Sequence, residues 1–376
     1  MIVPRVLQLS TARTWRGGEQ QVAYLAMELR GMDIPQLVVC AKGSPMQSFC
    51  EKEGIDHRAL RFKASFDPPN ARRLARIAKA WKADLVHTHD SHGHTTAVLA
   101  NTLFAMRLPL IVSRRVDFPI SSGLSATWKY GHPSVKRILC VSDAIRMITA
   151  RGLRRPEVLR TVHSGIDLSR FADGTDGRLH ELIGADPAVK LVGNVAALAP
   201  HKDLFTFIRM AQHLHARLPD LRFVLIGEGE LKDKLERYAN ERGLASALTF
   251  TGFRKDVERL LPELDVMAMT SRTEGLGTSI LDAFAARVPV VATAAGGIPE
   301  LIEDERTGLL RPVGDDAALA EAVERILLDR ELRDRLVEGA SRKLQGFTRH
   351  ATAVATLKEY QAVVAEGFGA AKTKSA

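Results

Sequence analysis

Short apolar runs alternate with amphipathic helical stretches along almost the whole chain, and this alternation restricts the fold more than any other feature. In the first half, strands are predicted over Val6–Leu9, Gln36–Cys40, Leu85–Thr88, Leu110–Ser113 and Arg137–Val141. The rhythm restarts in the second half, where strands are predicted over Lys190–Ala196, Phe223–Ile226, Thr249–Thr251, Val266–Thr270 and Val288–Ala292. Strands that alternate with helices form parallel sheets with helices on both faces. The sequence therefore predicts an α/β fold of two doubly wound, Rossmann-like domains with a ligand cleft between them.

Composition shifts along the chain suggest where these domains begin and end. Asp167–Pro187 is polar and rich in Gly and Asp, which is typical of a linker. We therefore expect an N-terminal domain over residues 1–170 and a C-terminal domain over 187–345. Residues 346–376 are predicted to form a helix that packs back on the N-terminal domain, followed by a disordered tail from Gly369.

The charge of the chain is concentrated in its first half. Residues 1–170 carry 26 Lys and Arg against 13 Asp and Glu, whereas the remainder carries 27 against 31. A basic face suits an anionic surface such as a membrane leaflet or a phosphorylated acceptor. Nucleic acid is not expected as a partner, because the basic stretches lack interleaved aromatic residues and any recognised binding motif. A solvated charged face without a partner is the alternative interpretation.

Cysteine usage and the N-terminal sequence indicate a cytoplasmic protein. The three cysteines form no CxxC pair, and a reducing compartment with buried thiols is the natural interpretation. The chain starts without the apolar core of a signal peptide, and no apolar run approaches the length of a membrane span. We expect any membrane association to be peripheral, on the inner face of the cell membrane.

Five loops of the second half follow predicted strands and carry glycine, acidic or basic residues. They are Ala196–Asp203, Gly227–Glu230, Gly252–Arg254, Ser271–Thr278 and Thr293–Glu300. Carboxyl ends of parallel strands meet at one sheet edge, and a glycine turn at a helix N-terminus lets backbone N–H groups approach phosphate closely. Each loop alone also fits a simple capped helix start. Together they predict a nucleoside-diphosphate pocket.

The order and spacing of these motifs resemble glycosyltransferase family 4, whose members are retaining nucleotide-sugar transferases of the GT-B architecture. The resemblance covers residues 3–345 and rests on Gly17-Gly18-Glu19, Val86–His89, Ser113–Asp117, Val141-Ser142, His163–Asp167, Leu198–Lys202, Ile226–Gly229, Phe250–Gly252, Glu274–Gly277 and Gly296–Glu300. It implies two Rossmann-like domains and a sugar-transfer reaction.

The resemblance also implies which residues bind the donor. Lys202 would neutralise the diphosphate, Glu274 would contact sugar hydroxyls, and Asp282 stands where the family usually has a ribose-binding Glu. The other implied donor-binding residues are Gly18, His201, Gly227, Phe253, Arg254, Gly275, Leu276, Gly277 and Thr278, with Phe253 and Arg254 against the nucleobase. One position departs from the family pattern, because Ala197 stands where a second diphosphate-binding Arg is common.

For the first half, the resemblance implies that His89 and the Gly17-Gly18 turn face the sugar and the acceptor. Arg114 and Arg115 follow a buried strand and suit an anion site, and we assign Arg115 and Asp117 to acceptor binding together with Gly17 and Gly18. We assign catalytic roles to His89, Lys202 and Glu274. Four histidines between His87 and His94 raise the alternative of a metal site, but their spacing lacks the helical or CxxC-like pairing that such sites use. No Asp-x-Asp pair occurs in a suitable loop. We expect neither a metal nor another cofactor.

The function predicted from this sequence is retaining, metal-independent transfer of a sugar from a nucleotide-diphosphate donor. The acceptor is expected to be lipid-linked or a saccharide in cell-envelope glycan synthesis, such as lipopolysaccharide, exopolysaccharide or glycolipid. Two alternatives stay open: a nucleotide-sugar epimerase, and a degenerate nucleotide-sugar-binding module, which the Ala197 departure favours. A nicotinamide or flavin protein is disfavoured, because neither half has Gly-x-Gly-x-x-Gly between its first strand and helix.

Overall fold

The computed structural model describes residues 2–62, 64, 66–120, 123–172 and 178–372, with side chains up to residue 367. The chain divides into two compact units. The first unit contains the residues up to Gly165 together with the C-terminal helix that begins at Arg349, and the second spans Ile166–Thr348. Each unit contains one parallel sheet flanked by helices. The predicted α/β fold with two Rossmann-like domains is confirmed.

The first unit is built from strands that alternate with helices. Its elements before the second unit are β1 (Val6–Ser10), α1 (Gly17–Gly31), β2 (Gln36–Ala41), α2 (Pro45–Glu53), β3 (His57–Leu60), α3 (Pro68–Trp81), β4 (Leu85–Thr88), α4 (Ser91–Leu103), β5 (Leu110–Arg114), α5 (Leu124–Gly131), β6 (Val135–Cys140), α6 (Asp143–Ala150) and β7 (Leu159–Thr161). The strands are ordered β3-β2-β1-β4-β5-β6-β7. All residues of β1, β2 and β4 are buried, as expected for strands that are covered on both faces.

The second unit repeats the pattern. Its elements are α7 (Arg178–Ile183), β8 (Leu191–Val195), α8 (Leu204–Arg217), β9 (Arg222–Ile226), α9 (Lys232–Glu241), β10 (Leu248–Gly252), α10 (Val257–Leu260), β11 (Val266–Met269), α11 (Thr278–Ala285), β12 (Val290–Thr293), α12 (Ile298–Leu301), β13 (Leu309–Arg311), α13 (Asp316–Leu328) and α14 (Arg330–Leu344). The strands are ordered β10-β9-β8-β11-β12-β13. The final element of the chain is α15 (Arg349–Lys372).

The segment predicted as a linker differs from that expectation. Within it, α7 is part of the second unit, and both carboxylate oxygens of Glu263 accept from the backbone N–H groups of Leu179 and His180 at 2.9 Å. This carboxylate satisfies N–H groups that a helix start leaves free. Residues 173–177 of the predicted linker lie outside the described residues. The first unit ends at Gly165, where the prediction has residue 170.

The C-terminal helix belongs to the first unit and is longer than predicted. Tyr360 and Val363 of α15 are buried together with strand residues such as Val6 and Leu85. Arg137 of β6 forms ion pairs with two glutamates of this helix, at 2.9 Å in the case of Glu359. The helix continues to Lys372, past the predicted start of the disordered tail, and residues 373–376 lie outside the described part.

Within the described residues, no helix combines the length and the apolar character needed to cross a bilayer.

Replacing Tyr360 with Ala tests the contribution of α15 to the first unit. Tyr360 is fully buried, so its truncation should destabilise this unit by about 3–5 kcal/mol. Trp15, Trp81 and Trp128 all belong to the first unit, so tryptophan fluorescence during urea unfolding reports on it. The matched control is Val354→Ala on the same helix, where the side chain is 49% exposed and the expected change is small. Equal effects of the two substitutions would contradict this packing.

Candidate functional site

Each sheet has one place where the strand order reverses, and residues predicted for function lie beside it. The reversal lies between β1 and β4 in the first unit and between β8 and β11 in the second. Ligands of open α/β sheets bind beyond the carboxyl ends of the strands at such points. Lys202 follows β8 and Glu274 follows β11, so the second unit brings these two predicted residues to its reversal point.

Lys202 and Glu274 form an ion pair with little access to solvent. The Lys202 ammonium donates to Glu274 Oε1, and the Glu274 residue is only 8% exposed. Ser271 Oγ donates to the same carboxylate oxygen at 2.9 Å. A buried carboxylate needs such partners, because leaving it unpaired costs several kcal/mol. The pair leaves other hydrogen bonds of the ammonium available, since Lys carries three donors.

Backbone contacts hold the loops after β8 and β11 together. Thr270 Oγ1 donates to the carbonyl oxygens of Lys202 and Asp203, at 3.2 and 3.1 Å. The Arg272 N–H donates to the carbonyl oxygen of His201 at 2.8 Å. The backbone beside the ion pair is therefore fixed on both sides, and His201 contributes to this site through its main chain.

Two glycines allow neighbouring loops to touch at this edge. A Cβ on Gly296 would lie 2.0 Å from the Glu274 carbonyl oxygen, and the φ of Gly296 is +53°. A Cβ on Gly227 would lie 2.0 Å from the Ala196 carbonyl oxygen, and its φ is +146°. Only glycine fits at both positions. Gly227 thus brings the loop after β9 against the loop after β8.

The turn after Glu274 leads directly into a helix. Gly275, Leu276 and Gly277 form this turn, and α11 begins at Thr278. The N-terminus of a helix carries partial positive charge and presents backbone N–H groups, which favours anionic groups such as phosphate. The turn, the helix start and Lys202 therefore offer one positively polarised region suited to a diphosphate.

Asp282 has a carboxylate oxygen that lacks a hydrogen-bond partner. Its Oδ1 is inaccessible to solvent and unpaired among the described residues. Burial raises the pKa of Asp282 to about 6, and this effect is opposed by Arg170 and reinforced by Glu258. A buried unpaired oxygen usually marks a missing partner, and ribose hydroxyls would be suitable donors. Contact of Asp282 with a ribose stays a prediction.

Phe253 and Arg254 follow β10 and differ in their availability. The Phe253 ring is 63% exposed, so its face is open to stacking. Arg254 instead makes two hydrogen bonds to Asp256, at 2.9 and 2.6 Å. These bonds also lower the pKa of Asp256. Arg254 is thus directed at its neighbour, and its predicted contact with the base would require this pair to open.

Arg272 is a candidate residue that the sequence reasoning missed. It lies in the same loop as Glu274, its side chain is 64% exposed, and its Nε donates to Asp203 Oδ2 at 2.9 Å. A cation at this place could replace the Arg that is missing at Ala197. The sequence gives little reason to select Arg272, because only its position two residues before Glu274 distinguishes it from other surface arginines.

In the first unit, His89 lies at the end of β4, next to the reversal point. Its Nε2 contacts Gln8 Oε1 at 3.0 Å, and its Nδ1 lies 3.5 Å from Ser113 Oγ. Both ring nitrogens are therefore engaged within the unit. Burial, followed by the charges of His87 and Arg115, holds the pKa of His89 well below its usual value. Direct contact of this ring with the sugar stays a prediction.

His89 belongs to a chain of hydrogen bonds whose direction can be worked out from one end. Gln36 Nε2 donates to the Ala26 carbonyl oxygen at 2.6 Å, so Gln36 Oε1 must accept, and it lies 2.6 Å from Gln8 Nε2. Gln8 Oε1 then accepts from His89. The neutral His89 ring therefore carries its proton on Nε2, and Nδ1 is a hydrogen-bond acceptor.

The same chain continues through His87 to the C-terminal helix. His87 Nε2 lies 2.9 Å from Ser113 Oγ, and His87 Nδ1 lies 2.6 Å from the Tyr360 hydroxyl. If Ser113 donates to His89 Nδ1, it accepts from His87 Nε2–H, and Tyr360 donates to His87 Nδ1. Burial lowers the pKa of His87 to about 3, which keeps this ring neutral. Gln8, Ser113 and Tyr360 thus belong to the hydrogen-bond chain that orients His89. The sequence alone did not indicate this role for them.

Of the two adjacent arginines after β5, Arg115 is directed at the predicted acceptor region. Its Nη1 donates to Ser164 Oγ at 3.0 Å, and its Nε is buried and unpaired among the described residues. Burial lowers the pKa of Arg115 to about 10, an effect that Glu19 opposes. Arg114 instead donates to the Tyr130 hydroxyl at 3.2 Å and to the Phe118 carbonyl oxygen, so it is a structural residue.

The remaining predicted acceptor residues surround Arg115 unevenly. Gly17 and Gly18 open α1, and a Cβ on Gly18 would lie 3.9 Å from Arg115 Cδ, whereas the space next to Gly17 is open. Asp117 is half-buried in the segment after β5. The glycine turn and Arg115 therefore form one polar, positively charged region of the first unit.

Among the residues that the structure describes, no three His, Cys, Asp or Glu side chains are arranged to hold a metal ion. His94, from the histidine run, is fully buried beside Tyr130, with ring centroids 4.9 Å apart.

Comparison with known proteins relates this chain to glycosyltransferases. Residues 15–170 match a family model described as Glycosyltransferase Family 4, and residues 179–343 match one described as Glycosyl transferases group 1. A 2-deoxystreptamine N-acetyl-D-glucosaminyltransferase from Streptomyces fradiae is 27% identical, over 94% of this chain and 92% of the relative. A UDP-Gal:alpha-D-GlcNAc-diphosphoundecaprenol alpha-1,3-galactosyltransferase from Escherichia coli is 26% identical, over 71% and 74%.

A solved structure shows the same fold. HepE from Anabaena in complex with UDP superimposes with a TM-score of 0.82 at 21% identity, covering 95% of this chain and all of that one. This likeness supports the two-domain fold.

The protonation state of His89 can be observed directly. We expect His89 to be neutral with the proton on Nε2, because the hydrogen bonds from Ala26 through Gln36 and Gln8 require it. A Ser113 hydroxyl that donates to His89 Nδ1 would place the His87 proton on Nε2 as well. Two-bond ¹H–¹⁵N spectra of ¹⁵N-histidine-labelled protein distinguish the two neutral forms, and His87→Gln and His89→Gln variants assign the signals. The exposed His92 serves as the reference for an unconstrained ring. A proton on Nδ1 of His89 would contradict this direction of the hydrogen-bond chain.

Asp282→Asn should stabilise the second unit above pH 6. The folded pKa lies above the ordinary value of 3.8, so the folded unit binds this proton more tightly than the unfolded chain does. Asp282 therefore lowers stability fully above about pH 6, and the penalty disappears as the pH falls towards 4. We expect a gain of at most about 3 kcal/mol at pH 8, since one pKa unit corresponds to about 1.4 kcal/mol. Calorimetry at pH 4 and pH 8 measures it, and a gain that does not depend on pH would be inconsistent with this account.

Proposed function

Since the chain belongs to the glycosyltransferases of family 4 and group 1, we propose that it transfers a sugar from a nucleoside-diphosphate donor with retention of anomeric configuration. The observation that carries this proposal is the buried pair of Lys202 and Glu274 beside the turn that opens α11. The pair supplies a cation for the diphosphate and a carboxylate for sugar hydroxyls. The Asp282 carboxylate, which is half-buried, is the proposed acceptor for the ribose hydroxyls.

The proposed reaction breaks the bond between the anomeric carbon and a phosphate oxygen. Positive charge develops on the sugar and negative charge on the departing diphosphate. Lys202 and the start of α11 stabilise the negative charge, so no metal is required. The acceptor oxygen forms its bond on the face that the diphosphate leaves, and its proton passes to a phosphate oxygen. Bond formation on that face retains the configuration.

The acceptor is proposed to be a lipid-linked sugar or a saccharide in cell-envelope glycan synthesis. The Escherichia coli relative is named for a diphosphoundecaprenol-linked acceptor, whereas the Streptomyces fradiae relative is named for a small aminocyclitol. The excess of basic residues in the first half supports the membrane-linked class. In this proposal, Arg115 and the Gly17-Gly18 turn contact an anionic or hydroxylated part of the acceptor, and the protein works at the cytoplasmic face of the membrane.

The two alternative functions, a nucleotide-sugar epimerase and a binding module without turnover, differ in the support they receive. Neither the family descriptions nor the names of the relatives support a nucleotide-sugar epimerase. A binding module without turnover is favoured by one observation, the exposed Ala197 in place of a diphosphate-binding Arg. Arg272 in the neighbouring loop is the proposed replacement for that cation.

Lys202→Ala should weaken binding of a nucleoside diphosphate far more than binding of the nucleoside. One lost charge-assisted contact corresponds to roughly a tenfold or larger change in affinity. Calorimetric titration with UDP, GDP and ADP and the parent nucleosides measures the ratio. The control is Lys232→Ala on α9, an exposed lysine outside the site. A Lys202→Ala/Glu274→Gln double variant keeps the test valid if the unpaired carboxylate impairs folding of the single one.

Turnover separates the transferase from the binding module. The wild type should release nucleoside diphosphate from a nucleotide sugar only when an acceptor is present. Glu274→Gln should lose this release while it still binds nucleotide. Release of nucleoside diphosphate without an acceptor would reject transfer as the main reaction. In the binding experiment, an equal loss of affinity for nucleoside diphosphate and nucleoside in Lys202→Ala would reject the role of Lys202.

A further inference from the structure

A groove on the first unit gathers positive charge at a place that the proposed reaction does not use. It lies between the end of α3 and the segment after α4, and its volume is about 550 Å³. Five cationic residues line it: Arg72, Arg76, Lys79, Lys82 and Arg107. Apolar side chains such as Phe104, Met106 and Leu108 also line it. The groove therefore combines a cationic rim with an apolar floor.

The charges on this rim are not neutralised by the protein. Residues 68–83 and 91–116 contain no Asp or Glu. All five cations are exposed, and within the described chain none of them forms an ion pair. Several basic residues on other helices are paired, such as Arg325 with Glu305. A concentration of unpaired charge of one sign creates a local potential that attracts an anionic partner.

The backbone around the groove is strained in a way that shapes it. Lys82, Ala105 and Arg107 have φ values of +55°, +50° and +55°, a region that residues other than glycine rarely adopt. The turn that contains Ala105 and Arg107 is held by the Asn101 side chain. This side chain donates to the Leu108 carbonyl oxygen at 2.8 Å and accepts from the Leu108 N–H at 3.1 Å. Strained positions of this kind persist where the surrounding structure enforces them, often at binding sites.

We propose that this groove binds the phosphate-bearing headgroup of an anionic lipid and docks the face formed by α3 and α4 on a membrane. The cations match the headgroup charge, and Leu103, which precedes the lining residue Phe104 and is 54% exposed, can enter the acyl region. This inference deepens the membrane contact proposed above by naming the surface that makes it.

The position of the groove leaves the site of the first unit accessible. The two helices end at Trp81 and Leu103, just before β4 and β5 begin, so the groove is at the amino edge of the sheet. His89 and Arg115 follow the carboxyl ends of the same strands, at the opposite edge. Docking through this groove therefore does not cover the predicted acceptor residues.

Co-sedimentation with vesicles tests the proposal on the full chain. Wild type should bind phosphatidylglycerol-containing vesicles, fail to bind pure phosphatidylcholine, and lose binding steeply as salt rises. Arg76→Glu/Lys79→Glu should reduce binding at least ~30-fold, the loss expected from two lipid contacts. Leu103→Ser should reduce binding without changing net charge.

A matched control separates the groove from general attraction. Arg151→Glu/Arg154→Glu has the same spacing and the same charge change in the same unit, at two exposed residues outside the groove. Binding by this variant should stay within about threefold of wild type. Equal losses in the two double variants, or no vesicle binding at low salt, would overturn the proposal. So would binding of single-stranded RNA through the same residues without vesicle binding.

The assay is independent of the proposed reaction. Vesicle binding needs no donor, and UDP titration of Arg76→Glu/Lys79→Glu should match wild type. Loss of vesicle binding with intact nucleotide binding therefore supports the groove even if the assigned transfer reaction fails. Loss of both in this variant would show a general folding defect, and Leu103→Ser then decides whether the groove itself contacts lipid.

Discussion

The ion pair between Lys202 and Glu274 is the interaction on which the organisation of the second unit's site depends. Its partners come from loops that follow β8 and β11, the strands between which the order reverses. The desolvation of two charges is offset only if their remaining hydrogen bonds are met, and Ser271 meets one of them. The glycine at position 296 completes the arrangement, since any larger residue would push the Glu274 backbone away.

In the first unit, the buried polar side chains near the reversal point are neutral and are paired with one another by hydrogen bonds. A chain of hydrogen bonds leads from the Ala26 carbonyl oxygen through Gln8, His89 and His87 to Tyr360. Each member of a buried polar chain fixes the orientation of the next, because an unpaired group is costly in a low-dielectric interior. The last helix of the sequence thereby takes part in holding a residue at the end of β4.

The fold was predictable from the sequence wherever strands are buried on both faces. β1, β2 and β4 are fully buried and mostly apolar, and the prediction places them within a residue or two of their actual ends. Three strands at sheet edges were not predicted: β3, β7 and β13. The first is half-exposed and begins His-Arg, and the other two have three residues each. Short strands at an edge bury too little to leave an apolar run.

The sequence by itself determined that the loops after successive strands meet at one edge, because parallel strands allow no other arrangement. It also determined which loops carry charge and glycine. Only the tertiary structure decided the partners of these side chains: Arg254 turns to Asp256, Arg115 rather than Arg114 reaches Ser164, and one oxygen of Asp282 has no partner among the described residues. Periodicity encodes the path of the backbone. Side-chain partners depend on packing between segments that are distant in sequence, and a local sequence pattern does not predict this packing.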